Sequence, residues 1–434
     1  IMAEAYVQFD EALCTGCTKC VRACPTKAVR IRNERAMLFP ELCIGCGECI
    51  RVCPEGAVSS TISYQRLEST DKVSVAIVSP ILYAQFPSVM PCDVLIALNR
   101  IGFNHAIDLS YYLEMFQFAT EEFILRNRET NEVPWPLISP ICPVVSRLIA
   151  LRYPNLLSHI LPLKRPAAMA GEEARQKISE REGVSESDVR LYHLTPCPSK
   201  LNSDLATFLD DLSEMDQAVA INDIYPRLLE AVEAVREMDL SLFPYQNLSF
   251  VPNARGPMWG MSGGEIAGMN TDRVLAVSGL KECISYIEKI EMGLFQDMEY
   301  IEFRACREGC LGGPLSAVDK YEARSTVQKL IKMFGLGRRL QHEKLRRLYD
   351  RGWFFSKAKP TEMKEKYASN EPPLTIEQMG QIEQILQQTA GNDCGACGAP
   401  DCRTFAEDVV RGYANMEDCY RIALDHRGIG PNSA

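Results

Sequence analysis

The chain has 434 residues, 46% of them hydrophobic and 24% charged, which is enough for roughly three globular domains with cores of their own. Its 47 Lys/Arg against 57 Asp/Glu give a net charge of −10, which argues against nucleic acid as a partner, since phosphate binding needs clustered cations. No apolar run approaches the ~18 residues of a membrane span, and IMAEAYVQFDEALC lacks the basic and apolar regions of a signal peptide, so the expectation is a cytoplasmic protein with no membrane partner. The Ile ahead of the first Met reads as a cloning remnant.

The 18 Cys fall mostly in tight C-x-x-C groups, which without a signal peptide points to metal ligation in a reducing compartment. The first 60 residues hold an internal repeat. CTGCTKCVRACPTKAV starts at Cys14 and CIGCGECIRVCPEGAV at Cys43, an offset of 29, and each unit reads as a cysteine loop, a short helix and a return strand. The pattern C-x2-C-x2-C-x3-C-P is the bacterial two-cluster ferredoxin run, in which the fourth Cys of each run ligates the other cluster. One [4Fe–4S] cluster is therefore expected on Cys14, Cys17, Cys20 and Cys53, the other on Cys43, Cys46, Cys49 and Cys24. Gly16, Gly45 and Gly47 leave room for backbone N–H groups to face the clusters, and Pro25 and Pro54 redirect the chain. Zinc takes paired ligands and does not ask for a triple-Cys run with a crossed fourth. Residues 1–66 thus read as a ferredoxin-like α+β module that passes single electrons.

Residues 73–366 alternate apolar runs with helical stretches. VSVAIVSP, VLAVSG and MEYIEFRAC predict buried strands, and CPVVSRLIALRYP and IYPRLLEAVEAVREM predict helices, the pattern of parallel α/β units. Residues 332–366 carry 11 Lys/Arg against 4 Asp/Glu and read as a solvated helix laid across this domain by its Leu, Phe and Trp. SNEPPL (369–374) reads as a linker, followed by the helix TIEQMGQIEQILQQ. The last domain, 375–434, is expected to be small and helical. Its Cys394, Cys397, Cys402 and Cys419, spaced C-x2-C-x4-C-x16-C, suit one more [4Fe–4S] cluster, with TFAEDVVRGY as a helix across the long gap. This stretch resembles the small iron–sulfur domain of electron-transfer and corrinoid iron–sulfur proteins.

Four other Cys lie in the α/β region: Cys142, Cys197, Cys306 and Cys310. On spacing alone they could equally be three unrelated buried sites. Cys92 and Cys283 sit in apolar surroundings and read as core thiols. The five His show no ligand spacing, and no nucleotide-binding Gly loop supports NAD chemistry.

SPICPVVSRLIALRYPNLLSHI, LPLKRPAAMAG, TPCPSK and ACREGCLGG, in that order, resemble the signature segments of the [FeFe] hydrogenase catalytic domain. GMSGGEIAGM and VSGLKECISYIEKI resemble its intermediate segments. The resemblance implies a two-lobed α/β domain with parallel sheets. It implies that Cys142, Cys197, Cys306 and Cys310 hold a [4Fe–4S] subcluster. Cys310 would also bridge to a diiron site bearing CO, CN⁻ and a bridging dithiolate, where H2 is split or made. Lys200 would donate to one cyanide, and Ser79 and Pro80 would approach the other. Gly309, Gly312 and Gly313, and Gly263 and Gly264, would let backbone pass close to the cofactor. Departures from the family stand at Ile141, where a proton-relaying Cys is usual, at Thr195 and Arg304, where Met is usual, and at Ala167, where Gln is usual. Phe118 or Gln117 falls near an expected relay Glu, while Glu121 is a candidate for another.

Retained cluster ligands with a broken proton path resemble the sensory or regulatory branch of the family: slow turnover, H2 as ligand, and a ferredoxin-type redox partner or a signalling partner, with a homodimer left open. A PAS domain common in that branch is not read before Ala434, as expected of a truncated chain or a PAS-free relative. The alternative is a multi-cluster electron-transfer protein or adaptor subunit without a diiron site.

Overall fold

The computed structural model describes residues 5–60, 72–201, 215–237, 248–249, 255–337, 340–357, 359–366, 373–389 and 391–426. The expected linker residues 369–372 and the junction at 61–71 lie outside them. Two compact units divide the chain. One combines residues 1–60 with 368–434, and the other is 61–367.

In the first unit the cysteine repeat folds as expected. β1 (Val7–Phe9) pairs antiparallel with β4 (Val58–Ser60), and β2 (Val29–Arg32) with β3 (Arg35–Leu38). The short helices α1 (Lys19–Ala23) and α2 (Glu48–Val52) each carry a Cys at their second position, and Cys24 and Cys53 follow directly after them. The repeat offset of 29 therefore makes two superimposable loop–helix–strand units, an α+β module.

The second unit contains two parallel sheets. The larger has the order β10 (Leu248–Ser249), β6 (His105–Asp108), β5 (Val73–Val78), β8 (Val189–Thr195), β9 (Gln217–Ala220). The smaller has the order β11 (Val274–Ser278), β12 (Tyr300–Arg304), β7 (Leu137–Ile138). The strands read as near-continuous Val/Ile/Ala runs because helices cover both faces of the larger sheet's core. Val75 to Val78 are fully buried. The connecting helices are α3 (Pro91–Arg100), α4 (Ser110–Thr130), α5 (Pro143–Arg152), α6 (Pro166–Glu182), α7 (Ile221–Arg236), α8 (Arg255–Trp259), α9 (Leu280–Glu291) and α10 (Lys320–Phe334). α3, α5 and α6 each begin with Pro at the first helical position, where its missing N–H costs nothing. No helix among the described residues is long and apolar enough to cross a membrane.

The basic stretch departs from the expected single helix. α10 ends at Gly335, and α11 (His342–Asp350) and the short α12 (Met363–Lys366) follow. Leu345, Tyr349 and Phe354 are its buried anchors, and Phe354 lies against Phe118. Glycines at 335 and 337 break the helix, so the apolar residues are delivered on two short segments instead of one stripe.

The C-terminal part of the first unit is helical: α13 (Ile376–Gln388), α14 (Cys402–Val410) and α15 (Tyr420–His426). A capping box opens α13, in which Thr375 Oγ1 accepts from the Gln378 N–H and Gln378 returns a bond to the Thr375 N–H. Asp401 caps α14 by accepting from the Thr404 N–H at 2.7 Å. Ile382, Ile385, Ala399, Phe405, Ala406 and Ile422 form its core.

Candidate functional site

Within the ferredoxin-like module the thiols gather across the repeat. Burial pushes the Cys46 thiol well up, and Cys24, Cys49 and Cys43 add to the rise, so these four lie near one another. Cys49 is raised by burial and then by Cys43, Cys24 and Cys20. Cys14, Cys17, Cys20 and Cys53 line a common small cavity, and burial, aided by Cys17 and Cys14, pushes Cys20 up to about 11. The backbone N–H of Ala28 donates to Cys24 Sγ at 3.1 Å, and that of Ala57 to Cys53 Sγ at 3.3 Å, the same bond in both repeats. An N–H donor aimed at sulfur is the kind of bond that supports a metal-bound thiolate. At the other end of the chain, Cys397 is raised by burial, with Cys419 and Cys394 adding. Cys402 opens α14, its N–H donating to Asp393 at 2.8 Å.

In the second unit every expected site residue lies just past the carboxyl end of a parallel strand, where open α/β sheets carry their ligands. Ser79 and Pro80 follow β5, Thr195 ends β8, and Cys197 and Lys200 follow it. Ile141 and Cys142 follow β7, and Arg304 ends β12, with Cys306 and Cys310 beyond it. The loops converge. Burial pushes Cys197 up to about 12, with Cys142 and Cys310 raising it and Lys200 lowering it. Cys310 is likewise raised by burial, while Arg304 and Lys200 oppose the shift. The ligand loops are tied to one another. Arg147 of α5 donates to Ser199 O at 3.1 Å, which joins the helix after Cys142 to the turn after Cys197. Arg165 Nε donates to Pro140 O at 2.6 Å and holds the segment before Cys142. Leu315 N donates to Pro196 O at 3.1 Å, joining the Cys310 and Cys197 turns.

Three of the glycines also have a reason within the chain itself. Gly309 has φ +74°, and a Cβ there would stand 2.4 Å from Gly260 O. A Cβ on Gly313 would stand 2.6 Å from Pro196, and one on Gly264 1.9 Å from Met258 O. At these positions a side chain would collide with neighbouring chain atoms.

The structure adds a charged network that sequence reading recognised only through Arg304. The Glu265 carboxylate accepts from Ser139 Oγ at 2.8 Å, from Arg304 Nη2 at 2.6 Å and from the Tyr300 hydroxyl. Glu302 accepts from the N–H groups of Gly263 and Glu265 at 3.2 and 3.1 Å. All five side chains are buried. Burial lowers the affinity of Arg304 for its proton, but Glu265, Glu302, Cys310 and Cys142 more than restore it, so Arg304 stays cationic. Burial pushes Glu302 above the usual carboxylate range; Arg304 opposes this and Glu265 adds to it. Arg304 Nη1 has no hydrogen-bond partner among the described residues. A buried guanidinium with a spare donor, sharing the Cys310 thiol with Lys200, suits an anionic sulfur-bound group. The signal in the sequence was the Glu of GMSGGE, three segments away from the Arg it neutralises.

Ile141 is buried, and its N–H donates to Ser139 Oγ at 3.2 Å. Thr195 and Ala167 are buried as well. Phe118 packs on His342 and Phe354, and Gln117 accepts from Arg255 at 2.9 Å. Glu121 lies partly exposed on α4, accepting from Asn270. Cys283 is fully buried, its thiol 3.3 Å from Arg304 O, as a core thiol should be, and Cys92 is half-buried.

The fold and the cysteine sets define a multidomain iron–sulfur protein. Residues 8–57 match the family described as 4Fe-4S dicluster domain, and residues 390–420 the one described as "Putative Fe-S cluster". Residues 72–224 and 259–314 match "Iron only hydrogenase large subunit, C-terminal domain". Iron hydrogenase 1 of Clostridium pasteurianum is 22% identical over 254 residues, which cover 50% of this chain and 44% of that protein, so the match spans under half of the relative's length. A variant of [FeFe]-hydrogenase HydA1 from Chlamydomonas reinhardtii aligns with a TM-score of 0.48 at 16% identity, covering 69% of this chain and 94% of the other. An apo form of the same enzyme gives 0.48 at 15%, with the same coverage. Residues 72–224 and 259–314, just under half of the chain, are thus [FeFe]-hydrogenase-family sequence.

Proposed function

We propose that this chain is a slow, sensory-type [FeFe] hydrogenase that reversibly binds and oxidises H2 and carries the electrons on [4Fe–4S] clusters. Cys142, Cys197, Cys306 and Cys310 would hold the subcluster, with Cys310 bridging to the diiron group, which when bound supplies the open iron position at which H2 reacts. The ligand sets of the other three clusters are those read from the sequence. The protein's own part is electrostatic and steric. Lys200 and Arg304 supply positive charge beside Cys310, Ser79 and Pro80 wall the site at the end of β5, and Ile141 offers a buried apolar side chain with no transferable proton of its own. H2 and a ferredoxin-type or signalling protein are the partners this reading requires.

The observation that carries it is the convergence of Cys142, Cys197 and Cys310, with two cations, at the carboxyl ends of β7, β8 and β12. The departures from the family at Ile141, Thr195 and Arg304 favour a second reading, an adaptor with four cubanes and no diiron site. The infrared spectrum of the protein matured with its assembly proteins decides between them. CO and CN⁻ stretching bands are expected, and a fully iron-loaded protein without them is the adaptor.

A further inference from the structure

The C-terminal cysteine loop is built into the ferredoxin-like module. Ile31 N on β2 donates to Gly398 O at 2.8 Å, extending the strand edge onto the loop. Gly398 has φ +76°, and a Cβ there would stand 2.1 Å from Ile31 O, so only glycine allows this approach. Two arginines of the module reach the carbonyls of ligand-bearing residues: Arg22 donates to Cys394 O at 2.8 Å and Arg32 to Cys397 O at 3.1 Å. Below the loop, Arg30 binds Asp408 of α14 through two bonds of 2.6 and 3.1 Å, and Arg32 adds a third at 2.7 Å. The Arg30 and Asp408 side chains are each 4% exposed. Lys27 pairs with Asp401 at 2.6 Å. Thr15, Gly16 and Thr18 from the first cysteine loop share a cleft of about 690 Å³ with Ala396, Cys397 and Gly398.

We propose that the Cys394–Cys419 centre is the third member of one fixed electron-transfer unit, coupled to the Cys14, Cys17, Cys20 and Cys53 cluster. This rests on the reading that both cysteine sets hold [4Fe–4S] clusters. Arg22 lies between Cys20 and Cys24 on and just after α1, so the path from one ligand to the next cluster is two peptide units, one side chain and a single hydrogen bond to Cys394. A charge-assisted donor on a ligand's own carbonyl couples better than water and keeps the distance constant. The transfer is one electron lost by a reduced cluster and gained by an oxidised one, with no bond made or broken. The buried pair of Arg30 with Asp408 sets the spacing, since moving the loop away would strand the arginine.

The test is electron paramagnetic resonance of the full, iron-loaded chain, reduced by dithionite. A magnetic interaction between the C-terminal cluster and the Cys14 cluster is expected, seen as splitting or broadening. Asp408→Asn should keep the iron content and lose the splitting, and Arg30→Gln should do the same from the other side. Cys419→Ser should lower the iron content by one cluster and remove the interaction. Unchanged iron in Cys419→Ser overturns the cluster reading itself. A filled C-terminal cluster whose signal shows no interaction in the wild type, or the same interaction in Asp408→Asn and Arg30→Gln, overturns the coupling alone.

Discussion

Arg304 is buried with two carboxylates, and its neutral neighbours cannot replace it. Arg304→Met leaves Glu265 without its cation, and breaking a buried pair from one side costs about 3–5 kcal/mol. The urea midpoint of the second unit should fall accordingly. Adding Glu265→Met removes the closer of the two stranded carboxylates, and the double variant should recover part of the loss, because an apolar pair of similar volume is near neutral while Glu302 keeps its two backbone N–H donors. If the double variant is as unstable as the single one, the pair is held by something other than mutual charge. Ile141 makes the opposite kind of prediction. A proton moves only between groups within hydrogen-bond reach, and a general acid–base group contributes about 10²–10⁴-fold. Ile141→Cys puts a thiol one residue before Cys142, beside Ser139, whose hydroxyl already reaches Glu265. Dye-linked H2 oxidation per assembled diiron site should rise about tenfold, short of that range, because Phe118 faces His342 and Phe354 instead of a carboxylate. Unchanged turnover places the slow step elsewhere. The contrast between these residues shows what was legible. Ile141 and Arg304 were visible as departures within contiguous motifs. That Arg304 is neutralised by Glu265 and Ser139 was not, because the three lie on segments joined only by the fold.

Strands and helices were the most legible level. Apolar runs bounded by Gly and Pro gave β5 and β12, whose burial on both faces leaves little choice of residue, and also α5 and α7, while β11 formed as expected but with Val277 alone buried. The basic stretch was misjudged because charge counts carry no information on where a helix breaks. Two elements carry a pH dependence. His105 on β6 is held below its usual value by burial, with the Glu182 carboxylate on α6 restoring part and Arg181 opposing it. His159 is lowered by burial too, with a partial return from Pro136 O. A lowered folded-state value means the folded chain gives up a proton that the unfolded chain keeps. The stability these groups contribute is present above about 6.5 and is lost as pH falls through the lowered values. The thermal midpoint of the second unit should therefore drop between about pH 7.5 and 5.5. His105→Gln should flatten that slope, and an unaltered slope would assign the effect to other groups.

For the whole molecule the proposed function carries an expected metal content. Sixteen of 18 Cys fall into four sets of four, and four cubanes with a diiron group amount to about 18 Fe per chain. Anaerobic reconstitution followed by maturation should approach that number. Zinc retained at Cys394 to Cys419 after saturation with iron and sulfide would refute the C-terminal part of it.

The interleaving of the two units has a consequence for synthesis. The ferredoxin-like half of the first unit leaves the ribosome before residues 61–367, and its partner segment after them. At about 5–20 residues per second the early half waits roughly 15–60 s. Throughout that time Arg30 and Arg32 face water, and the edge of β2 at Ile31 is open to any other strand. The first two iron–sulfur sites can be filled during the wait, but the module cannot close until translation has passed Asp408. Closure of the oldest part of the protein thereby reports that the youngest part has arrived.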